Sequence, residues 1–223
     1  MGKEQKQSRQ KPTQQLIREL AQDKSSLYRQ WPYTYRCSLW FLVNLFFVLL
    51  ITYGVQGFRQ NFVQDLWQAP LLSAELMIGL TLSYLSGLYV FKRSIPGEKF
   101  QQKNFTPILL IFTILGVLIL AAFFTPPKST PYNGARSFCE FEILFYGLTS
   151  MVSLFFFNRL GFTQQLNKWE RISIAFSVGM VPASVMQLAC MFDPTHSLLF
   201  HYSPVILLVL LGNFLISIKF FKN

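Results

Sequence analysis

Six apolar stretches, each close to the length that crosses a membrane as a helix, constrain the fold of this chain more than any other feature. The hydrocarbon core of a bilayer is about 30 Å thick, so a helix needs roughly 20 apolar residues to cross it. The predicted spans cover about residues 37–55, 71–91, 105–124, 141–158, 172–190 and 198–218. Only 13% of the 223 residues are charged, too few for the surface of a soluble domain. The sequence therefore predicts an all-α membrane protein, a bundle of six transmembrane helices.

The positions of the basic residues predict how this bundle is oriented. Lys and Arg accumulate on cytoplasmic loops. With six spans, 17 of the 20 Lys and Arg residues lie on the side that holds both termini, and the other side has only Arg59, Lys128 and Arg136. We expect residues 1–36 to form a cytoplasmic arm, residues 37–218 the membrane domain and residues 219–223 a cytoplasmic tail, in a bacterial inner membrane. The basic residues that give the net charge of +10 lie beside the apolar spans, which favours a membrane surface as their partner. We expect no direct contact with nucleic acid.

The N-terminal arm is predicted to contain a short amphipathic helix over about residues 13–29. Apolar residues recur there at helical spacing, with acidic and basic residues on the polar positions. The residues that we expect to contact a partner are Leu16, Ile17, Leu20, Ala21 and Asp23. Such a helix fits a groove in a partner protein as well as the surface of an anionic membrane, and the pattern leaves both alternatives open.

Two cysteines are predicted to lie at matching heights on the outer face. Cys139 precedes the fourth span and Cys190 ends the fifth, each about 20 residues, or roughly 30 Å of helix, from the basic residues at the cytoplasmic end. Further ligand candidates on that face are Glu142, Asp193, His196 and His201. Thiolate, imidazole and carboxylate together suit a soft or borderline divalent metal such as Zn or Cd, bound transiently. A structural disulfide and thiols without a function remain open as alternatives.

The remaining polar and aromatic residues predict less. Cys37 is interpreted as an interfacial bystander, and Glu75 as a carboxylate at the level of the lipid headgroups, with Arg59 or Arg136 as alternative partners. An aromatic belt at the membrane surface is predicted for Trp31, Tyr33, Tyr35 and Trp40.

The sequence contains no phosphate-binding loop, nucleophile elbow or helical metal-hydrolase motif, so we expect no enzyme and no resident cofactor. A small thiol oxidoreductase, a transporter-like bundle and a structural membrane subunit without sensing are the competing functions.

A set of short motifs occurs in a specific order along residues 16–220. They are Leu16-Ile17, Leu20-Ala21, Asp23, Trp31-Pro32, Arg36, Trp40, Ser94-Ile95-Pro96-Gly97, Cys139 with Glu142, and then Cys190, Asp193, His201 and Pro204. In this order the chain resembles the NrsF family of bacterial membrane anti-sigma factors. The resemblance implies a protein that holds an extracytoplasmic-function sigma factor inactive through its N-terminal segment. It also implies that Cys139 and Cys190 sense a toxic metal or an oxidant.

Overall fold

The computed structural model describes residues 31–59, 62–93, 95, 105–124, 138–157, 167–190 and 196–217. The chain divides into two units, Met1–Pro32 and Tyr33–Asn223. The amphipathic helix predicted over residues 13–29, with Leu16, Ile17, Leu20, Ala21 and Asp23, lies outside the described residues, and so does Asp193.

The described part of the second unit is built of helices and contains no strand, which confirms the all-α prediction for these residues. In chain order they are α1 (Tyr33–Gln56), α2 (Phe62–Gln68), α3 (Pro70–Arg93), α4 (Thr106–Phe123), α5 (Cys139–Phe157), α6 (Lys168–Met186), a π-helical segment (Ser197–Tyr202) and α7 (Ser203–Ser217).

Four of these helices, α1, α3, α4 and α5, are long and apolar enough to cross a membrane. They match the first four predicted spans to within a few residues, consistent with a membrane protein. Helices α6 and α7 occupy the positions of the fifth and sixth predicted spans. However, α6 begins with the charged residues Lys168, Glu170 and Arg171, and α7 has only 15 residues. Among the described residues, four helices therefore have the length and composition of a membrane span, whereas six spans were predicted.

Helix α6 is the centre of the bundle, because every side chain over residues 173–190 is buried. It packs against α1, α3, α5 and α7. The contact with α3 is close: the Ser83 hydroxyl donates to the backbone oxygen of Ser177 at 2.6 Å, and a Cβ at Gly79 would fall 2.2 Å from Ser184 Oγ. Small residues allow such close approach between membrane helices. A helix surrounded by protein does not need an apolar surface, which explains the low hydropathy of α6.

Three local features differ from the predicted boundaries. The stretch over residues 56–69 was predicted to be a loop, but it contains α2. The fifth span was predicted to continue to Cys190, but α6 ends at Met186 and residues 187–190 form turns. The sixth begins with the π-helical segment, and Pro204, which has no N–H to donate, lies where this segment changes into α7.

Two residues near the start of α1 have buried positions that the sequence did not predict. Trp40 was predicted to join a surface belt, but it is fully buried and its indole Nε1 donates to Ser153 Oγ at 3.0 Å. Ser153 in turn donates to Asn44 Oδ1 at 3.1 Å, which joins α1 to α5. Cys37 is also buried inside the bundle, with its thiol 3.9 Å from the backbone oxygen of Tyr84. Tyr35 is 52% exposed, as the belt requires.

Candidate cysteine and histidine site

Three chain segments meet at the end of the bundle where α5 begins. Cys139 is the first residue of α5, Cys190 lies in the turns that follow α6, and His196 and His201 belong to the π-helical segment and the residue before it. We call this group of four side chains the cysteine–histidine site.

The four side chains are close enough to bind one ion. One ligand atom from each, a sulfur or a ring nitrogen, lies within 4.8 Å of all the others. The two Sγ atoms are 2.6 Å apart, farther than the bond length of a disulfide, which is about 2.05 Å. The imidazole rings of His196 and His201 meet edge to face, with centroids 5.2 Å apart. The arrangement therefore points two sulfurs and two imidazoles at one small volume.

This volume is inside the protein. Cys139 and Cys190 are each 1% exposed, His201 is fully buried, and His196 is partly buried. Neither ring nitrogen of His201 makes a well-aligned hydrogen bond with a residue that the structure describes, and its polar neighbour within the site is the Cys139 thiol. A buried polar group without a hydrogen bond costs roughly 1 to 3 kcal/mol. A ligand that binds one of these nitrogens would remove this cost.

The π-helical backbone explains why both histidines reach the site. Their positions differ by five residues, and in an α-helix residues five apart point about 140° away from each other. A π-helix closes its hydrogen bonds between residues i and i+5, which brings such residues to the same side. The five-residue spacing of His196 and His201 therefore indicates that both can reach one site when the segment is a π-helix. Under the usual assumption of an α-helix, the same spacing points them apart.

The sequence-predicted ligands divide into three groups. Cys139, Cys190, His196 and His201 come together, in agreement with the argument that the two cysteines lie at equal heights. Glu142 lies on α5 and is partly buried, but it is outside this group of four. Asp193 lies outside the described residues.

A second polar cluster, missed by the sequence analysis, adjoins the site. Tyr202, which follows His201, donates a hydrogen bond from its hydroxyl to Glu75 Oε1 at 2.5 Å and accepts one from Gln187 Nε2 at 2.9 Å. Glu75 is only 5% exposed, so its carboxylate lies inside the bundle, where the sequence did not predict it. Arg59, one of its predicted partners, instead pairs with Asp65 at 3.6 Å. The cluster ties α3 to the π-helical segment.

The other end of the α3 and α6 pair is held by charges. Arg93, the last residue of α3, forms an ion pair with Glu170 in the first turn of α6. Glu170 also accepts from the backbone N–H of Asn167, whose side chain accepts in return from the start of the helix, a capping box. We call this group the arginine–glutamate end. It lies 18 residues along α3 from Glu75, about 27 Å of helix.

Comparison with known proteins finds a family match. The family model described as NrsF, negative regulator of sigma F, matches residues 20–220 of this chain. No curated protein and no solved structure matches it significantly. The matched range contains all four residues of the cysteine–histidine site.

Proposed function

This chain belongs to the NrsF family of negative regulators of sigma F, and from that premise we propose that it is a membrane-bound anti-sigma factor. It holds an extracytoplasmic-function sigma factor inactive through its N-terminal segment, with Leu16, Ile17, Leu20, Ala21 and Asp23 on the contacting helix. It releases the sigma factor when a metal or an oxidant reacts at Cys139 and Cys190. The family match carries this proposal, and the buried cysteine–histidine site suggests where the signal enters.

The proposed topology has six spans, with both termini in the cytoplasm and the bundle in the bacterial inner membrane. Four helices meet the length and hydropathy of a span by themselves. The buried position of α6 supports a fifth, because a helix covered by its neighbours need not be apolar. The distribution of Lys and Arg favours cytoplasmic ends. In this orientation the cysteine–histidine site faces the periplasm and the arginine–glutamate end faces the cytoplasm.

Helix α5 is the proposed route for the signal. It begins with Cys139, and Ser153 lies 14 residues farther along, about 21 Å of helix. There Ser153 contacts Trp40 and Asn44 of α1, the helix that directly follows the N-terminal segment in the sequence. A change in the packing of α5 at the site would thus reach α1. The signal acts only if it binds or reacts with one arrangement of the bundle more favourably than the other.

The proposal is tested by co-purification of the full chain, in detergent, from bacterial membranes. We expect a sigma factor to be recovered with the wild type and lost when residues 13–29 are deleted. Cys139→Ser and Cys190→Ser should still capture it but no longer release it on metal or oxidant challenge. Cys37→Ser, the third cysteine of the chain, is the matched control and should release normally. A wild-type preparation that recovers no sigma factor contradicts the proposal.

A further inference from the structure

We propose that the cysteine–histidine site holds a resident divalent cation of the zinc class, with Cys139, Cys190, His196 and His201 as its four ligands. The binding itself follows from the geometry of these residues. Its effect on sigma-factor release rests on the proposed function, which does not specify whether Cys139 and Cys190 sense the signal with or without a bound ion.

The donor set selects the ion. Two thiolates and two imidazoles form the Cys₂His₂ set that binds zinc tetrahedrally in structural sites, whereas Mg²⁺ and Ca²⁺ require oxygen ligands. Helix α5 carries two carboxylates near the site, those of Glu140 and Glu142, and neither is in the group of four ligand atoms. The site therefore favours Zn²⁺, or the softer Cd²⁺, over the abundant hard cations.

The spacing of the ligands fits such an ion after a small adjustment. In a tetrahedral site with Zn–S bonds of about 2.3 Å, the two sulfurs lie about 3.8 Å apart. The present separation of 2.6 Å must widen, while the limit of 4.8 Å over all four ligand atoms already accommodates the tetrahedron. Cys190 lies after the end of α6 and can make this movement without breaking a helix.

His201 supplies the independent argument for a ligand. It is fully buried, and neither of its nitrogens has a well-aligned hydrogen bond with a described residue; the polar group it approaches is the Cys139 thiol, another member of the site. Coordination through one nitrogen would satisfy the ring. Because the chain supplies all four ligands, no position remains for a substrate or water, and the ion has a structural or regulatory role rather than a catalytic one.

A bound ion would join α5, the turns after α6 and the π-helical segment, so its loss would free the start of α5. Both proposed signals act on this state. A softer cation displaces the ion directly. Hydrogen peroxide removes two electrons from the two thiolates, which form the Cys139–Cys190 disulfide. The peroxide takes up two protons and gives two water molecules. The divalent ion then leaves, because it has lost its two thiolate ligands.

The test uses the full chain in detergent, stripped of metal and titrated with Zn²⁺ or Co²⁺ alone. We expect one ion per chain, and for Co²⁺ the intense visible bands of a tetrahedral site together with thiolate charge-transfer absorption. His201→Ala and Cys139→Ser should weaken binding by more than about tenfold, the loss seen even for groups that only support a ligand. Cys37→Ser should bind as the wild type does. Hydrogen peroxide should release the bound Zn²⁺ to a chromogenic chelator.

His201→Cys protects the test against a misfolded alanine variant. It keeps a ligand at this position, so it should retain the ion with a stronger charge-transfer band. A wild type that binds no Zn²⁺, or a His201→Ala variant that binds it as tightly as the wild type, overturns the metal site. The two proposals fail separately: a chain that binds zinc but captures no sigma factor removes only the regulator, and a chain that captures and releases a sigma factor without binding zinc removes only the ion.

Discussion

The two ends of the bundle, which lie at opposite ends of the α3 and α6 pair, differ in how their buried polar groups are satisfied. At the arginine–glutamate end both helices are regular, Arg93 and Glu170 pair, and Glu170 completes a capping box. At the cysteine–histidine site the backbone is a turn and a π-helix, and the fully buried His201 has no well-aligned hydrogen bond among the described residues. The polar groups of the first end are satisfied by the chain itself, whereas those of the second approach only one another. This difference favours the cysteine–histidine site as the end at which we propose that the signal acts.

The arginine–glutamate end affects how a movement at the cysteine–histidine site would pass along the helices. A helix pair that is fixed at one end can transmit a movement made at the other, whereas a pair that is loose at both ends absorbs it. The close contact of α3 with α6 at Gly79 and Ser184 extends this fixed region along the helices. We therefore expect the two ends to differ in how strongly substitutions affect stability and in whether metal changes that effect.

The largest effect is expected for Arg93→Leu. It leaves Glu170 buried and without its counter-charge, and breaking a buried ion pair from one side costs about 3 to 5 kcal/mol. The free energy of unfolding in detergent, from a denaturant titration, measures the loss. Arg93→Leu combined with Glu170→Leu should recover most of it, except for about 1 kcal/mol from the lost cap. Equal stability of the single and double variants would mean that the charges are not paired within the bundle.

The second effect is stabilisation by zinc. At a free Zn²⁺ concentration about 100 times the dissociation constant, binding to the folded state adds about 2.7 kcal/mol to the free energy of unfolding. His201→Ala should lose this increment, while Arg93→Leu should keep it in full because distant sites contribute additively. If Arg93→Leu loses the increment as well, the two ends are not independent and the contrast between them is wrong.

The sequence predicted those parts of the fold in which each residue's surroundings follow from its neighbours along the chain. The first four predicted spans have most of their residues on the outside of the bundle, so their apolar runs are visible in the sequence, and helical rise was enough to bring Cys139 near Cys190. The buried α6 carries a weaker signal because its environment is protein. The partners of Glu75 and Trp40 are 127 and 113 residues away, so no local pattern distinguishes a buried carboxylate or indole from one at the membrane surface.

Tyr202→Phe tests whether the Glu75 cluster belongs to the arginine–glutamate end or to the cysteine–histidine site. The variant removes the donor to buried Glu75 and the acceptor for Gln187, so we expect a loss of about 2 kcal/mol. Tyr84→Phe is the matched control, because its hydroxyl contacts Ser38 in a partly exposed position. If bound zinc reduces the loss caused by Tyr202→Phe, the cluster is part of the site that responds to metal; if the loss is unchanged, it belongs to the fixed frame.

The smallest effect is expected where α5 contacts α1. A double-mutant cycle with Trp40→Phe and Ser153→Ala should give a coupling energy of about 0.6 kcal/mol, the average for hydrogen bonds between membrane helices. Such a weak contact can be rearranged by a signal without unfolding the bundle, which suits the proposed route better than a strong one. Sigma-factor release on metal challenge should therefore be impaired in both single variants while the fold and zinc binding stay intact. Normal release in both would exclude this contact from the route and leave α5 to act through its packing against α6 and α7.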